Sequence, residues 1–207
     1  MNDGGEPQER KALSEEDAAR ANLYAVIGRL FHEAPDSILL AQLCRAEAGA
    51  AGENAPLEQA WQALQAACRS AYPVVVRQEH DSLFVGVGKA EVTPYTSHYI
   101  KGTSPDRHLV RLRECLEQVG LARRNAAFEV EDHVSGVCDA MRFLIASGHS
   151  LSEQRLFFNE FAYAGAVSFC DMVARASSAV FYRYVAAFAR AFFEVERQAF
   201  EMDESDG

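Results

Sequence analysis

Apolar residues along this chain recur every three or four positions, the period that lets a helix bury one face. Leu23, Val26, Ile27, Leu30 and Phe31 form the first such stripe. Ser14, with Asp17 three positions on, precedes it as a variant capping box, and Pro35 ends it. Asp36 is placed to cap a second helix carrying Ile38, Leu39, Leu40 and Leu43, which fails in the Ala-, Gly- and Glu-rich stretch 49–54. Pro56 opens a third, with Leu57, Trp61, Leu64 and Cys68 on one stripe, closed at Tyr72-Pro73. The β-branched run Val74, Val75, Val76 is compatible with a strand. Over a longer window, Val76, His80, Leu83, Phe84 and Val87 fit a helix better.

Residues 86–103 have no helical period and carry turn chemistry, which predicts one long ordered loop. Ser104-Pro105 starts the next helix through Leu109, Leu112, Leu116 and Val119, and Gly120 stops it. Asp132 is then read as the cap of a helix bearing Val134, Val137, Met141, Leu144 and Ile145, closed by Gly148. Ser152 begins an aromatic helix with Leu156, Phe157 and Phe161, and a separate apolar segment follows Gly165 through Val167, Phe169 and Met172. The last helix, from about Ser178, repeats Phe181, Val185, Phe188, Phe192 and Val195. No alternating pattern competes, so the expectation is an all-α single bundle of about eight or nine helices. Residues 1–13 are expected to be a disordered polar segment, 14–200 the helical domain and 201–207 a frayed polar tail.

Forty-nine per cent apolar content in 207 residues suffices for a core without disulfides. The five cysteines, Cys44, Cys68, Cys115, Cys138 and Cys170, include no C-x-x-C pair and fit reduced thiols in a cytoplasmic protein. Neither a signal peptide nor a stable membrane insertion is expected, because no run of about 20 apolar residues occurs. A formal net charge of −10 repels nucleic acid and favours basic peptides or proteins.

Three segments could carry chemistry. The first is Leu83-Phe84 followed by a glycine-containing stretch and then Pro94-Tyr95-Thr96-Ser97-His98-Tyr99. Its tyrosines combine an apolar ring with a polar tip, which suits either a peptide cradle or the pinning of a long loop to the core. Gly86-Val87-Gly88-Lys89 within it lacks the full phosphate-loop pattern. The second is Glu129-Val130-Glu131-Asp132-His133, whose carboxylates suit a helix N-terminus, an arginine-bearing ligand or, less well, a metal ion. The third is His80-Asp81, which with His32 and Asp139 would make the ligand set of a helical metal-dependent phosphohydrolase. Motifs of serine hydrolases and zinc proteases are missing, so no catalytic residue, metal or cofactor is assigned.

The first two segments in tandem resemble the TorD, DmsD and NarJ group of redox-enzyme maturation chaperones. The likeness rests on Leu83-Phe84, Pro94-Tyr95-x-Ser97-x-Tyr99 and Glu129-x-x-Asp132-His133 leading into a helix that carries Met141. One departure is Val130, where the family often has proline. The resemblance implies a cytoplasmic, non-catalytic protein, monomer or homodimer, that binds an apo-molybdoenzyme catalytic subunit and its twin-arginine signal peptide until the molybdenum cofactor is inserted. It implies client binding by Leu83, Phe84, Pro94, Tyr95, Ser97, Tyr99, Glu129, Glu131, Asp132 and His133. An assembly scaffold that ignores the signal peptide is the alternative within the same class.

Overall fold

The computed structural model describes residues 13–46, 55–86, 90–102, 104–121 and 132–205. Nine α-helical segments lie within them: α1 (Glu15–His32), α2 (Ser37–Arg45), α3 (Ala55–Ser70), α4 (Pro73–His80), α5 (Pro105–Gln118), α6 (Val134–Ala146), α7 (Leu151–Phe157), α8 (Tyr163–Arg175) and α9 (Tyr182–Ser205). A π turn, Asp81–Val85, prolongs α4, and a second, Phe158–Ala162, joins α7 to α8 as one rod. Counted as continuous rods they are eight helices, and the only β pairing among the described residues is a single bridge between Tyr95 and His133. The all-α expectation holds.

Local signals set most of the ends. Ser14 Oγ accepts from Asp17 N at 3.0 Å and Asp36 Oδ1 from Leu39 N at 2.8 Å, each satisfying a first-turn amide. Ser150, two residues ahead of the expected start, forms a complete capping box with Glu153. Gly120 and Gly148 adopt φ of 80° and 75°, the left-handed conformation that ends α5 and α6. The polar stretch from 201 continues α9 as far as Ser205, with Glu201 paired to Arg197 one turn back.

The expected break at Gly165 does not occur. Phe157, Phe158 and Phe161 are all buried, and the π turn between α7 and α8 is what lets two consecutive rings and their neighbour share one core face. The turn after α4 does the same for the consecutive pair Leu83 and Phe84. Gly165 serves contact with another segment: a Cβ there would lie 2.6 Å from Thr96 Cβ and 2.8 Å from Thr96 O. Its absent side chain admits the 90–102 segment onto α8.

The centre of the molecule is aromatic. Phe31 meets Phe169 edge-on with ring centroids 4.9 Å apart, Phe84 and Tyr182 extend the cluster, and Phe188 packs against Trp61. α1 packs along α6, α9 lies against α3 and α8, and α2 rests chiefly on α3. A buried polar clasp ties α1 to α9: Arg20 donates to both oxygens of Glu196 (2.8 and 2.9 Å), and Tyr24 Oη donates to the same carboxylate at 2.9 Å. Every charge in that clasp has a partner, the condition under which a buried ion pair is tolerated.

Candidate functional site

The two sequence motifs meet, although 35 residues separate Ser97 from Asp132. Ser97 Oγ donates to Asp132 Oδ2, while Thr96 N and Thr96 Oγ1 donate to the Asp132 carbonyl at 2.8 and 3.0 Å. Val134 N donates to Pro94 O at 2.9 Å, and the rings of Tyr95 and His133 meet edge-on at 5.7 Å. Pro94, Thr96 and Ser97 are buried at this joint, which rests on α8 at Gly165. The segments form a hydrogen-bonded seam.

Asp132 does not cap α6. Its side chain is 3% exposed and turned toward Ser97, and His133 takes the capping position, with Nδ1 accepting from Ser135 N at 3.1 Å. The backbone bridge to Tyr95 explains the exchange: pairing with the 94–96 backbone puts residue 133, and not 132, at the turn into the helix. Burial, with His32 and His80 nearby, pushes the His133 imidazole down to about 4, so it is neutral at physiological pH. A neutral ring that accepts at Nδ1 carries its proton on Nε2. Asp132 Oδ1 and His108 Nε2 are buried without a direct partner, and the Asp132 charge opposes part of the burial effect that lowers the His108 pKa.

The other predicted residues divide by exposure. Leu83 and Phe84 are buried in the core. Tyr99 is half-buried beside Phe169, with its hydroxyl donating to Thr93 O at 2.7 Å, so it pins its own loop. Tyr95, 38% exposed, presents its ring to solvent, and half-buried His133 lies beside it. Glu129, Val130 and Glu131, and Val87, Gly88 and Lys89 of the glycine stretch, lie outside the described residues. His80 is buried, and its Nδ1 is 3.6 Å from the exposed Asp81. No cluster of three or more His, Cys, Asp or Glu that could hold a metal occurs among the described residues, so His32, His80, Asp81 and Asp139 do not assemble the hydrolase site considered above.

A feature the sequence reading missed lies elsewhere on the surface. An open groove of about 540 Å3 runs between α3, α4 and the start of α9. Alanines 63, 66, 67 and 71 line its floor, and Tyr72, Val75, Val180 and Tyr184 form its walls. Tyr72 is 75% exposed and Val180 66%, a concentration of apolar surface that single scattered residues do not produce. Its third wall is held by long-range bonds. The Glu79 carboxylate of α4 accepts from the backbone amides of Val180, Phe181 and Tyr182 at 2.7–2.9 Å, and so caps α9 from a distant helix. Glu91 accepts likewise from Ser177 N (2.6 Å) and Ser178 N (3.3 Å), and the side chains of Ser178 and Ser177, ahead of those amides, hold its pKa below the usual carboxylate range. The exposed hydrophobic residues Val74, Val75 and Tyr72 were the available signal in the sequence, but helical period assigned them to no face.

Residues 50–194 match the sequence model of the nitrate reductase delta subunit family. The chain belongs to that family. It is the NarJ/TorD type of chaperone to which the paired motifs pointed. A crystal structure from Archaeoglobus fulgidus, of a protein provisionally named a redox enzyme maturation protein, superposes with a TM-score of 0.50 at 19% identity. The match covers 92% of this chain and 98% of that one, and supports the fold. None of the curated proteins matches the sequence. No helix among the described residues is long and apolar enough to cross a membrane.

Proposed function

We propose that this protein is a cytoplasmic chaperone that binds the signal peptide, the apo form, or both, of a molybdenum-cofactor oxidoreductase, and holds it until the cofactor is inserted. The observation that carries this reading, within a maturation-chaperone family, is the exposed apolar groove between α3, α4 and the start of α9. A twin-arginine leader pairs a cationic end with an apolar stretch. The net charge of −10 attracts the first, and the groove suits the second. Tyr95 and His133 form a second contact at the rim of the seam, while Leu83, Phe84, Pro94, Ser97, Tyr99 and Asp132 act by holding that rim in shape. Glu129 and Glu131, just ahead of Asp132, are assigned to the arginine end. Release follows from differential binding: a client that buries the recognised segment on folding loses the interaction.

The test is titration of a fluorescent twin-arginine leader peptide against the purified protein. Val180→Asp and Tyr95→Ala both alter exposed side chains, and circular dichroism of each variant checks that the fold is kept. Expected is a loss of tenfold or more, about 1.4 kcal/mol, for Val180→Asp, a smaller loss for Tyr95→Ala, and weakening with salt. Unchanged affinity in both variants removes the site. If the client's mature region binds and the leader does not, the scaffold reading replaces this one.

A further inference from the structure

A second concave surface, of about 380 Å3, runs between α5 and the rod made by α7 and its π turn. It shares no lining residue with the groove between α3, α4 and α9, so the two readings stand or fall separately. Its floor is apolar. Half-buried Cys115 and Val119 of α5 line it together with Phe157 and Phe161, whose buried rings stand 5.3 Å apart. Leu156 forms one wall and is 67% exposed, although its chain neighbour Phe157 is fully buried. An aliphatic side chain left in water at the edge of such a floor gains free energy when a partner covers it.

The rim is acidic. Glu114, Glu153 and Glu160 border the groove against a single arginine, Arg111. Arg111 of α5 pairs with Glu160 of the π turn, which bridges the two sides and neutralises one carboxylate. The other two stay available. Ser150 N and Ser150 Oγ each donate to Glu153 Oε2 at 2.8 Å, and the hydroxyl, ahead of the amide, holds the Glu153 pKa below the usual carboxylate range. Glu153 is thus fixed and ionised, and its Oε1 has a longer contact, 3.5 Å, with His149 Nδ1. Glu114 is exposed and has no ion-pair partner among the described residues. Burial, and after it the Glu160 charge, push the Cys115 thiol up, in keeping with a negative potential at the floor.

We propose that this groove docks a basic segment of a partner protein, in which one arginine lies beside an aliphatic residue. The guanidinium pairs with Glu114 and Glu153, and the aliphatic residue covers Leu156 and Val119. Charge complementarity sets the choice of occupant. The carboxylates repel nucleic acid and anionic lipid, and a wholly apolar peptide would take them from water without a counter-charge. Arginine suits the site better than lysine, because its planar, weakly hydrated fork reaches two carboxylates while its stem lies on apolar surface. Neither an arginine pair nor the long apolar stretch of a leader is needed here, which separates this surface from the one proposed above.

The experiment titrates isotope-labelled full-length protein with an acetylated, amidated peptide carrying the core Leu-Arg-Leu in a Gly-Ser background, read by amide chemical shifts. Expected are saturating shifts at Cys115, Val119 and Leu156, with the amides of Ala66, Tyr72 and Val180 unmoved. Replacing the peptide arginine with citrulline, its uncharged isostere, should weaken binding about fivefold or more. Glu114→Gln and Leu156→Ser, both at exposed positions, should each weaken it about threefold, and added salt should weaken it further. Should either variant fail to fold, the citrulline comparison on the parent protein decides. Equal affinity for the citrulline peptide, shifts centred on the groove between α3, α4 and α9, or a titration that does not saturate each overturns the proposal. So do shifts at the same amides on diluting the peptide-free protein, which make a second copy the occupant. The same shifts in the peptide-free double variant Arg123→Gln, Arg124→Gln give the groove to the chain's own residues, and also overturn it.

Discussion

Replacing Gly165 with alanine sets two effects of opposite sign against each other. In the middle of a helix, Gly→Ala gains about 1 kcal/mol, because alanine has less backbone freedom to lose and a better propensity. Here the new methyl would meet Thr96 Cβ at 2.6 Å and Thr96 O at 2.8 Å, and neither is the far end of a flexible side chain. The 90–102 segment must move off α8, which costs about 1–3 kcal/mol in overpacking. Displacing Thr96 also loosens its two bonds to the Asp132 carbonyl, and with them the Ser97 contact, at about 1 kcal/mol each. The net expectation is a loss of about 3–5 kcal/mol. For a domain of this size that lowers Tm by roughly 6–20 °C. Urea unfolding monitored by circular dichroism measures it, and the Tyr95 ring beside His133 should become more mobile in the same variant. A Gly165→Ala protein as stable as the parent, or more so, would refute the close-approach argument and leave ordinary helix propensity as the whole effect.

Three further outcomes follow from the same geometry. Because the folded-state His133 pKa is depressed to about 4 against an unfolded value of about 6.5, the unfolded chain binds more protons between those values. Stability is therefore full above about pH 6.5 and falls as pH drops, by about 2 kcal/mol between pH 7 and 5 from this group alone; His80 and His108, also lowered by burial, add in the same direction. His133→Asn, which keeps an acceptor for Ser135 N but does not titrate, should flatten that slope in urea titrations at the two pH values. Glu196→Ala strands the Arg20 guanidinium and the Tyr24 hydroxyl inside the protein and should destabilise by about 3–5 kcal/mol; a change below 1 kcal/mol in chemical denaturation would contradict the buried clasp. Glu79→Ala removes the acceptor for three amides at the start of α9 and should cost about 2 kcal/mol while speeding amide exchange at Val180, Phe181 and Tyr182, the wall of the groove.

Helix boundaries were legible wherever a helix ends by means of its own neighbours. Ser14, Asp36 and Ser104 each satisfy an amide three residues on, and Gly120 and Gly148 close helices by their own backbone conformation. Such signals survive in a one-dimensional reading because donor and acceptor lie within one turn. The start of α9 carries no such signal in its own residues, since its cap comes from Glu79, about a hundred positions earlier. Asp132 misled for a related reason: a carboxylate ahead of an apolar helix reads as its cap, until pairing with the 94–96 backbone claims it for Ser97. Gly165 misled because a glycine that breaks a helix and one that admits another segment look alike in sequence.

The sequence by itself determined the all-α class, the acidic character and the family, through helical period, charge count and two spaced motifs. Each is a property of composition or of residues near one another along the chain. Tertiary structure decided that the motifs lock into a seam, and that α3, α4 and α9 leave an apolar groove between them. Those features depend on which faces of distant helices come together. That choice follows from packing the whole core at once, and no local window of the sequence contains it.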